Sequence, residues 1–166
     1  GARVTGIDLS PSMIEVAMLH AAESGLRVSY RCADAESLLG AEEPWDLVCC
    51  MEMLEHVPDP SLVMQTLAQL VRPGGDVIVS TLNRGLRSFL GAIVAAEYVL
   101  RLLPRGTHEY DRMIRPAELA TWGRKAGLSL GDLRGIDYDP FASTARLTDS
   151  VAVNYLAHFK RPAPQA

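Results

Sequence analysis

The chain has 166 residues, 48% of them apolar and 22% charged, which is ordinary globular composition and enough material for about one domain with a real core. A net charge of −4 provides no basic footprint for nucleic acid, and no apolar run reaches the ~18 uninterrupted residues of a membrane-spanning helix. The three cysteines, Cys32, Cys49 and Cys50, do not suit a disulfide framework and read as reduced core residues of an intracellular protein.

Residues 3–9 (RVTGIDL) read as a short strand ending in an acid, after which Ser10 and Pro11 supply an N-cap and a first-turn proline. The helix they start, over 11–24, carries a stripe of Ile14, Ala17, Met18 and Ala21 and stops at Gly25. Strands follow at 28–32 and 45–50. A helix over 61–71 has Val63, Leu67, Leu70 and Val71 on one side; it ends at RPGG, and DVIVSTL at 76–82 is a further strand. This rhythm predicts a parallel sheet covered by helices, one half of a doubly wound α/β fold.

Beyond Asn83 the rhythm changes. Residues 88–103 are apolar nearly all round and are bracketed by Arg84, Arg87, Arg101 and Arg105; a polar loop containing His108 follows. A helix is expected over 116–126, with Leu119, Trp122 and Ala126 aligned. A hairpin over about 128–136 leads toward a last, antiparallel strand at 151–160, where Val151, Val153, Tyr155, Ala157 and Phe159 share a face. Only 161–166 reads as a loose tail.

Chemistry concentrates at 51–60, MEMLEHVPDP, directly after an apolar strand. Glu52, Glu55 and His56 are three and four positions apart, so one helical turn would gather two carboxylates and an imidazole on one face as a metal or acid/base cluster. In open parallel sheets ligands bind beyond the strands' carboxyl ends, so Asp8 is expected to take ribose hydroxyls. Asp34, after the next strand, reads equally as an adenine-side residue or as a turn residue. Asn83 and His108 are second-tier pocket candidates, while His20 and His158 read as structural or solvent-facing.

In this order, RVTGIDLSPSMIEVA, DLVCCMEMLEHVPDP and LVRPGGDVIVSTLNR resemble the class I S-adenosylmethionine-dependent methyltransferases. Together with LPRGTH, RPAEL and VNYLAH, they resemble the ubiquinone biosynthesis O-methyltransferase family in particular. The resemblance implies a Rossmann-like, mostly parallel sheet, in a single domain over 1–160 with a lid or membrane-facing insertion at about 84–115. It implies S-adenosylmethionine as methyl donor and polyprenylated catechol or quinol substrates at two steps of the ubiquinone pathway. Asp8 and Met51 fall at the family's cofactor-contacting positions. Glu52, Glu55 and His56 fall where the family is thought to hold a divalent metal, usually magnesium.

An imidazole in a magnesium shell is atypical, so His56 as general base is the second reading, and a purely structural cluster the third. The arginine-bracketed segment reads as a buried core helix or, given the long isoprenoid tail that the resemblance implies, as a substrate mouth resting on anionic lipid; the resemblance further implies a cytoplasmic protein peripheral to the bacterial inner membrane and a partner in a ubiquinone-biosynthesis complex. The family's first strand and glycine-rich loop are expected upstream of Gly1, and a chain without them is expected to fold and bind cofactor poorly. The alternatives are a methyltransferase for another small phenol and a non-catalytic quinone- or lipid-binding relative.

Overall fold

A computed structural model describes residues 1–41, 43–85, 112–139, 142 and 144–164. The apolar segment at 88–103 and His108 lie outside the described residues. The chain divides into two compact units, Gly1–Glu43 and Pro44–Ala166.

In the first unit, β1 (Val4–Asp8) and β2 (Val28–Cys32) pair in parallel, from Val4 opposite Val28 to Asp8 opposite Cys32. Helix α1 (Pro11–Glu23) connects them. Ser10 is its N-cap, with Oγ accepting from the Met13 N–H at 3.4 Å, and Pro11 occupies the first turn, where a missing N–H costs nothing. Gly25, at φ 65°, ends the helix in the left-handed conformation that glycine adopts freely. The expected stripe is narrower than its spacing suggests: Ile14 and Ala21 are buried, whereas Met18 is exposed.

The second unit contains β3 (Trp45–Met51), a 3-10 turn (Leu54–His56), α2 (Pro60–Leu70), β4 (Val71–Leu82), α3 (Pro116–Lys125), β5 (Ser129–Asp139), β6 (Thr144–Thr148) and β7 (Asn154–Lys160). Its sheet has the order β3-β4-β7-β5-β6. The β3–β4 pair is parallel, and the other three pairs are antiparallel. The described strands are thus parallel in the β/α half and antiparallel in the C-terminal half. Residues 128–136 do not form a hairpin by themselves, because β5 is one long strand whose hairpin partner is β6.

The RPGG sequence lies inside β4 as a bulge. Pairing jumps from Trp45–Val71 to Leu47–Asp76, Gly74 takes φ 76°, and a Cβ on Gly75 would come within 2.6 Å of Val71 Cγ2 and 2.8 Å of the Asp46 carbonyl. Arg161 fastens the same corner. Its Nη1 donates to the Val71 and Ala68 carbonyls at 2.6 and 2.8 Å, satisfying acceptors that the end of α2 leaves without intrahelical partners. On β4 and β7, Asp76 holds His158 at 2.8 Å and Lys160 at 3.0 Å; these hydrogen bonds, His158 first, pull its carboxyl below the usual range.

The core is built from α2, α3 and the middle of the sheet. Leu54, Met64, Val71, Val77, Val79, Leu119, Tyr155, Ala157 and Phe159 have no exposed surface. The alternation expected of the last strand holds at Tyr155, Ala157 and Phe159, but Val153 precedes the strand and is exposed. Helix α3 approaches β7 closely at Gly123, where a methyl group would overlap the Phe159 ring. Gly123→Ala is therefore expected to lower unfolding free energy by ~1–3 kcal/mol through overpacking, measured by urea denaturation.

Candidate active site

In the second unit the site is built where β3 and β4 end side by side. Met51, the last residue of β3, pairs with Ser80 of β4 and is half exposed. The chain then turns sharply: Glu52 has φ 48°, a left-handed conformation that costs a non-glycine residue on the order of 1–3 kcal/mol. Its N–H is held by two acceptors, the Ser80 carbonyl at 3.1 Å and Ser80 Oγ at 3.0 Å.

The turn delivers Leu54–His56 as a 3-10 helix, not as part of an α-helical turn beginning at Glu52. Leu54 is sunk in the core with no exposed surface, which anchors the segment. Glu55 follows it inward, 6% exposed, and its Oε2 accepts a 2.8 Å hydrogen bond from the buried Thr81 hydroxyl. His56 points to solvent. Three residues per turn separate adjacent side chains by about 120°, so Glu55 and His56 diverge.

The expected gathering of Glu52, Glu55 and His56 on one helical face is corrected by this geometry. Among the described residues, no three His, Cys, Asp or Glu side chains are grouped so as to hold a metal ion. One carboxylate is committed to Thr81, the imidazole faces outward, and Glu52 precedes the turn on a reversed backbone. The residues present do not fit a preformed three-ligand magnesium site.

The rest of the motif is structural. Asp59 Oδ1 caps α2, accepting from Ser61 N at 2.9 Å, Leu62 N at 3.2 Å and Ser61 Oγ at 2.7 Å, with Pro60 opening the helix. The Ser61 hydroxyl, followed by the Leu62 N–H, holds the Asp59 carboxyl below its usual range. The proline–aspartate–proline end therefore aims α2 and, with it, the preceding turn.

The acids leave an electrostatic imprint on the buried groups nearby. Burial first, then the charges of Glu55, Cys49 and Glu52, push the Cys50 thiol up to about 12. Tyr155 is raised by burial and by Glu118, Glu55 and Glu52, and its hydroxyl donates to the Ile114 carbonyl at 3.0 Å. Sequence reasoning passed over Glu118. It occupies the third position of α3, where Oε2 accepts from the Arg115 N–H at 2.8 Å, and it forms an ion pair with Arg84 just beyond β4. The available signal was its spacing from Pro116, a helix-start pattern.

In the first unit, Asp8 and Asp34 lie at the same, carboxyl end of the strand pair. Asp8 is exposed, and its Oδ1 accepts from Ser10 N at 2.7 Å. Asp34 Oδ1 accepts from Ser37 N at 2.7 Å, closing the 3-10 turn Glu36–Leu38. Asn83 bridges to the segment before β7, donating Nδ2 to the Val151 carbonyl at 2.8 Å. His20 is exposed in the last turn of α1.

A parallel β/α half, an antiparallel C-terminal half and acids at the strands' carboxyl ends define a class I methyltransferase fold. A family model described as a methyltransferase domain matches residues 1–79. A solved magnesium protoporphyrin IX methyltransferase from Synechocystis, with S-adenosylhomocysteine bound, superposes with a TM-score of 0.67 at 19% identity over 97% of this chain and 65% of its own. The ubiquinone biosynthesis O-methyltransferase of Xylella fastidiosa is 55% identical over 95% of this chain and 64% of its own length, and that of Hahella chejuensis 51% identical over 100% and 70%. The chain belongs to the ubiquinone biosynthesis O-methyltransferase family and spans about two thirds of the length of these relatives.

The cysteines correct the expectation of three core residues: Cys50 is buried, but Cys32 and Cys49 are exposed. The thiolate is the reactive form, so at pH 7.5 iodoacetamide is expected to alkylate Cys32 first. Cys49, whose thiol is raised by burial, should follow more slowly, and Cys50 should react only after unfolding. Peptide mass spectrometry over a time course checks the order.

Proposed function

We propose that the protein methylates a phenolic hydroxyl of polyprenylated catechol or quinol intermediates in ubiquinone biosynthesis, with residues 1–160 acting as one methyltransferase domain and about 84–115 as a lid or membrane-facing insertion. The observation that carries the reading is the 55% identity to a ubiquinone biosynthesis O-methyltransferase over 95% of this chain. S-Adenosylmethionine, when bound, supplies an electrophilic methyl group on a sulfonium.

Asp8 suits the donor's ribose: an exposed carboxylate at a strand's carboxyl end accepts from two vicinal hydroxyls. Met51, half exposed at the end of β3, provides an apolar contact for the donor. Asp34 is the candidate on the adenine side. Each is supported by its place at a carboxyl end and by the resemblance of the surrounding motifs.

A phenol titrates near ~10, so ionising it at pH 7 costs roughly 4 kcal/mol. His56 lowers this cost by taking the proton as the hydroxyl oxygen attacks the methyl carbon; the C–O bond forms, the C–S bond breaks, and S-adenosylhomocysteine leaves. Glu52 and Glu55 lie within four residues of His56 in the same motif, and their charges add to burial in raising Cys50 and Tyr155.

No step here is routed through a metal ion, because Glu52, Glu55 and His56 are not disposed as a ligand set. A divalent cation attracted by the Glu52 and Glu55 carboxylates is the second reading, and it would supply Lewis-acid chemistry.

The test is methyl transfer to a short-tailed demethylubiquinol by the full-length protein. His56→Ala is expected to lower kcat by about 10²–10⁴-fold, the usual worth of a general base, with activity surviving a chelator. Loss on chelation with rescue by a divalent ion would replace the base by the metal, and an inactive wild type would overturn the reading.

Among the described residues no helix is long and apolar enough to cross a membrane. The arginine-bracketed sequence at 88–103 supports peripheral attachment to an anionic surface on the inner face of the inner membrane, alongside other enzymes of the pathway. Recovery with phosphatidylglycerol liposomes is expected to exceed recovery with neutral ones in a flotation assay.

A further inference from the structure

We propose that Ser80 and Thr81, adjacent hydroxyl residues at the buried end of β4, are positioning residues, Ser80 for the backbone of Glu52 and Thr81 for the carboxylate of Glu55. The inference rests on the methyltransferase reading for its catalytic consequence. Both residues have no exposed surface. The three residues before them, Val77 to Val79, are apolar, with Val77 and Val79 fully buried, so hydroxyls at 80 and 81 carry a desolvation cost that only good partners offset.

Both hydroxyls have partners on the segment that follows β3. Ser80 Oγ accepts from the Glu52 N–H at 3.0 Å, and the Ser80 carbonyl accepts from the same N–H at 3.1 Å. Two acceptors on one donor hold Glu52 in its left-handed conformation, the point at which the chain turns out of β3. Thr81 Oγ1 donates to Glu55 Oε2 at 2.8 Å, a hydrogen bond between two buried groups. One dipeptide therefore fixes the backbone of the first acid and the side chain of the second, 28 and 26 residues away in sequence.

A donor on a carboxylate orients it as well as stabilising it. With Thr81 in place, Glu55 presents one defined oxygen arrangement to its surroundings. Valine at 81 keeps the volume and removes the donor, whereas serine keeps the donor and removes a methyl group. A purely structural residue and a positioning residue respond differently to these changes when Glu55 is itself altered.

The experiment measures kcat and KM for full-length wild type, Thr81→Val, Thr81→Ser, Glu55→Gln and the double variant Thr81→Val/Glu55→Gln. Thr81→Val is expected to lose about tenfold in kcat with KM for S-adenosylmethionine within about twofold, and Thr81→Ser to stay within about threefold of wild type. In the Glu55→Gln background Thr81→Val should change kcat by less than about twofold, the non-additivity of residues acting through one another. An equal loss in both backgrounds, or wild-type kcat in Thr81→Val, overturns the assignment.

Should Thr81→Val not fold, Ser80→Ala carries the test without any activity. Deuterium exchange at the Glu52 amide is expected to accelerate at least about fivefold while Val77 and Val79 keep their rates, and an unchanged Glu52 rate refutes the proposal. An inactive wild type with accelerated Glu52 exchange in Ser80→Ala would remove the methyltransferase reading and leave the positioning of Glu52 standing.

Discussion

The second unit depends on β4, a strand hydrogen-bonded on both sides, parallel to β3 and antiparallel to β7. Such a strand has no solvent to satisfy its polar atoms, so every donor and acceptor along it must be matched by a neighbour. Over Val77 and Val79 the ladder and an apolar core suffice. At Ser80 the β3 side of the ladder ends, while β7 pairs on through Leu82, and the hydroxyls of Ser80 and Thr81 remain to be matched; among the described residues no buried polar side-chain atom is left without a partner. The partners come from the turn after β3, which is where the acids of the motif lie. Satisfying the end of the strand and shaping the site are the same set of hydrogen bonds.

The motif at 51–60 divides into parts with different physical roles. Leu54 sinks into the core and holds the turn; Asp59 and Pro60 start α2; Glu55 sits buried between these fixed points. His56 is the outward-facing member. Burial first, and then the charges of Glu55 and Glu52 among others, push up the Cys50 thiol and the Tyr155 hydroxyl.

Elements with local signals were legible from the sequence. Ser10 with Pro11, and Asp59 with Pro60, announce helix starts through their own chemistry, and the alternation around Tyr155, Ala157 and Phe159 announces a strand with one buried face. Strand β6 was missed because its first four residues are exposed and leave no alternation to read. The three-residue turn Leu54–His56 was read as α-helical spacing, since i and i+3 neighbours look alike in either helix until Glu52 reverses the backbone. The Thr81–Glu55 and Arg84–Glu118 pairs were illegible for another reason: each joins residues 26 or more apart, and only the strand order brings them together.

That strand order also governs when the second unit can take shape during synthesis. Strand β7, the last of the described strands in sequence, is inserted between β4 and β5. Until residue 160 has left the ribosome, β4 lacks one neighbour and β5 has only its hairpin partner β6, so the half-formed sheet exposes two edges at once. The seven-residue strand acts as the closing piece whose arrival converts two partial sheets into one.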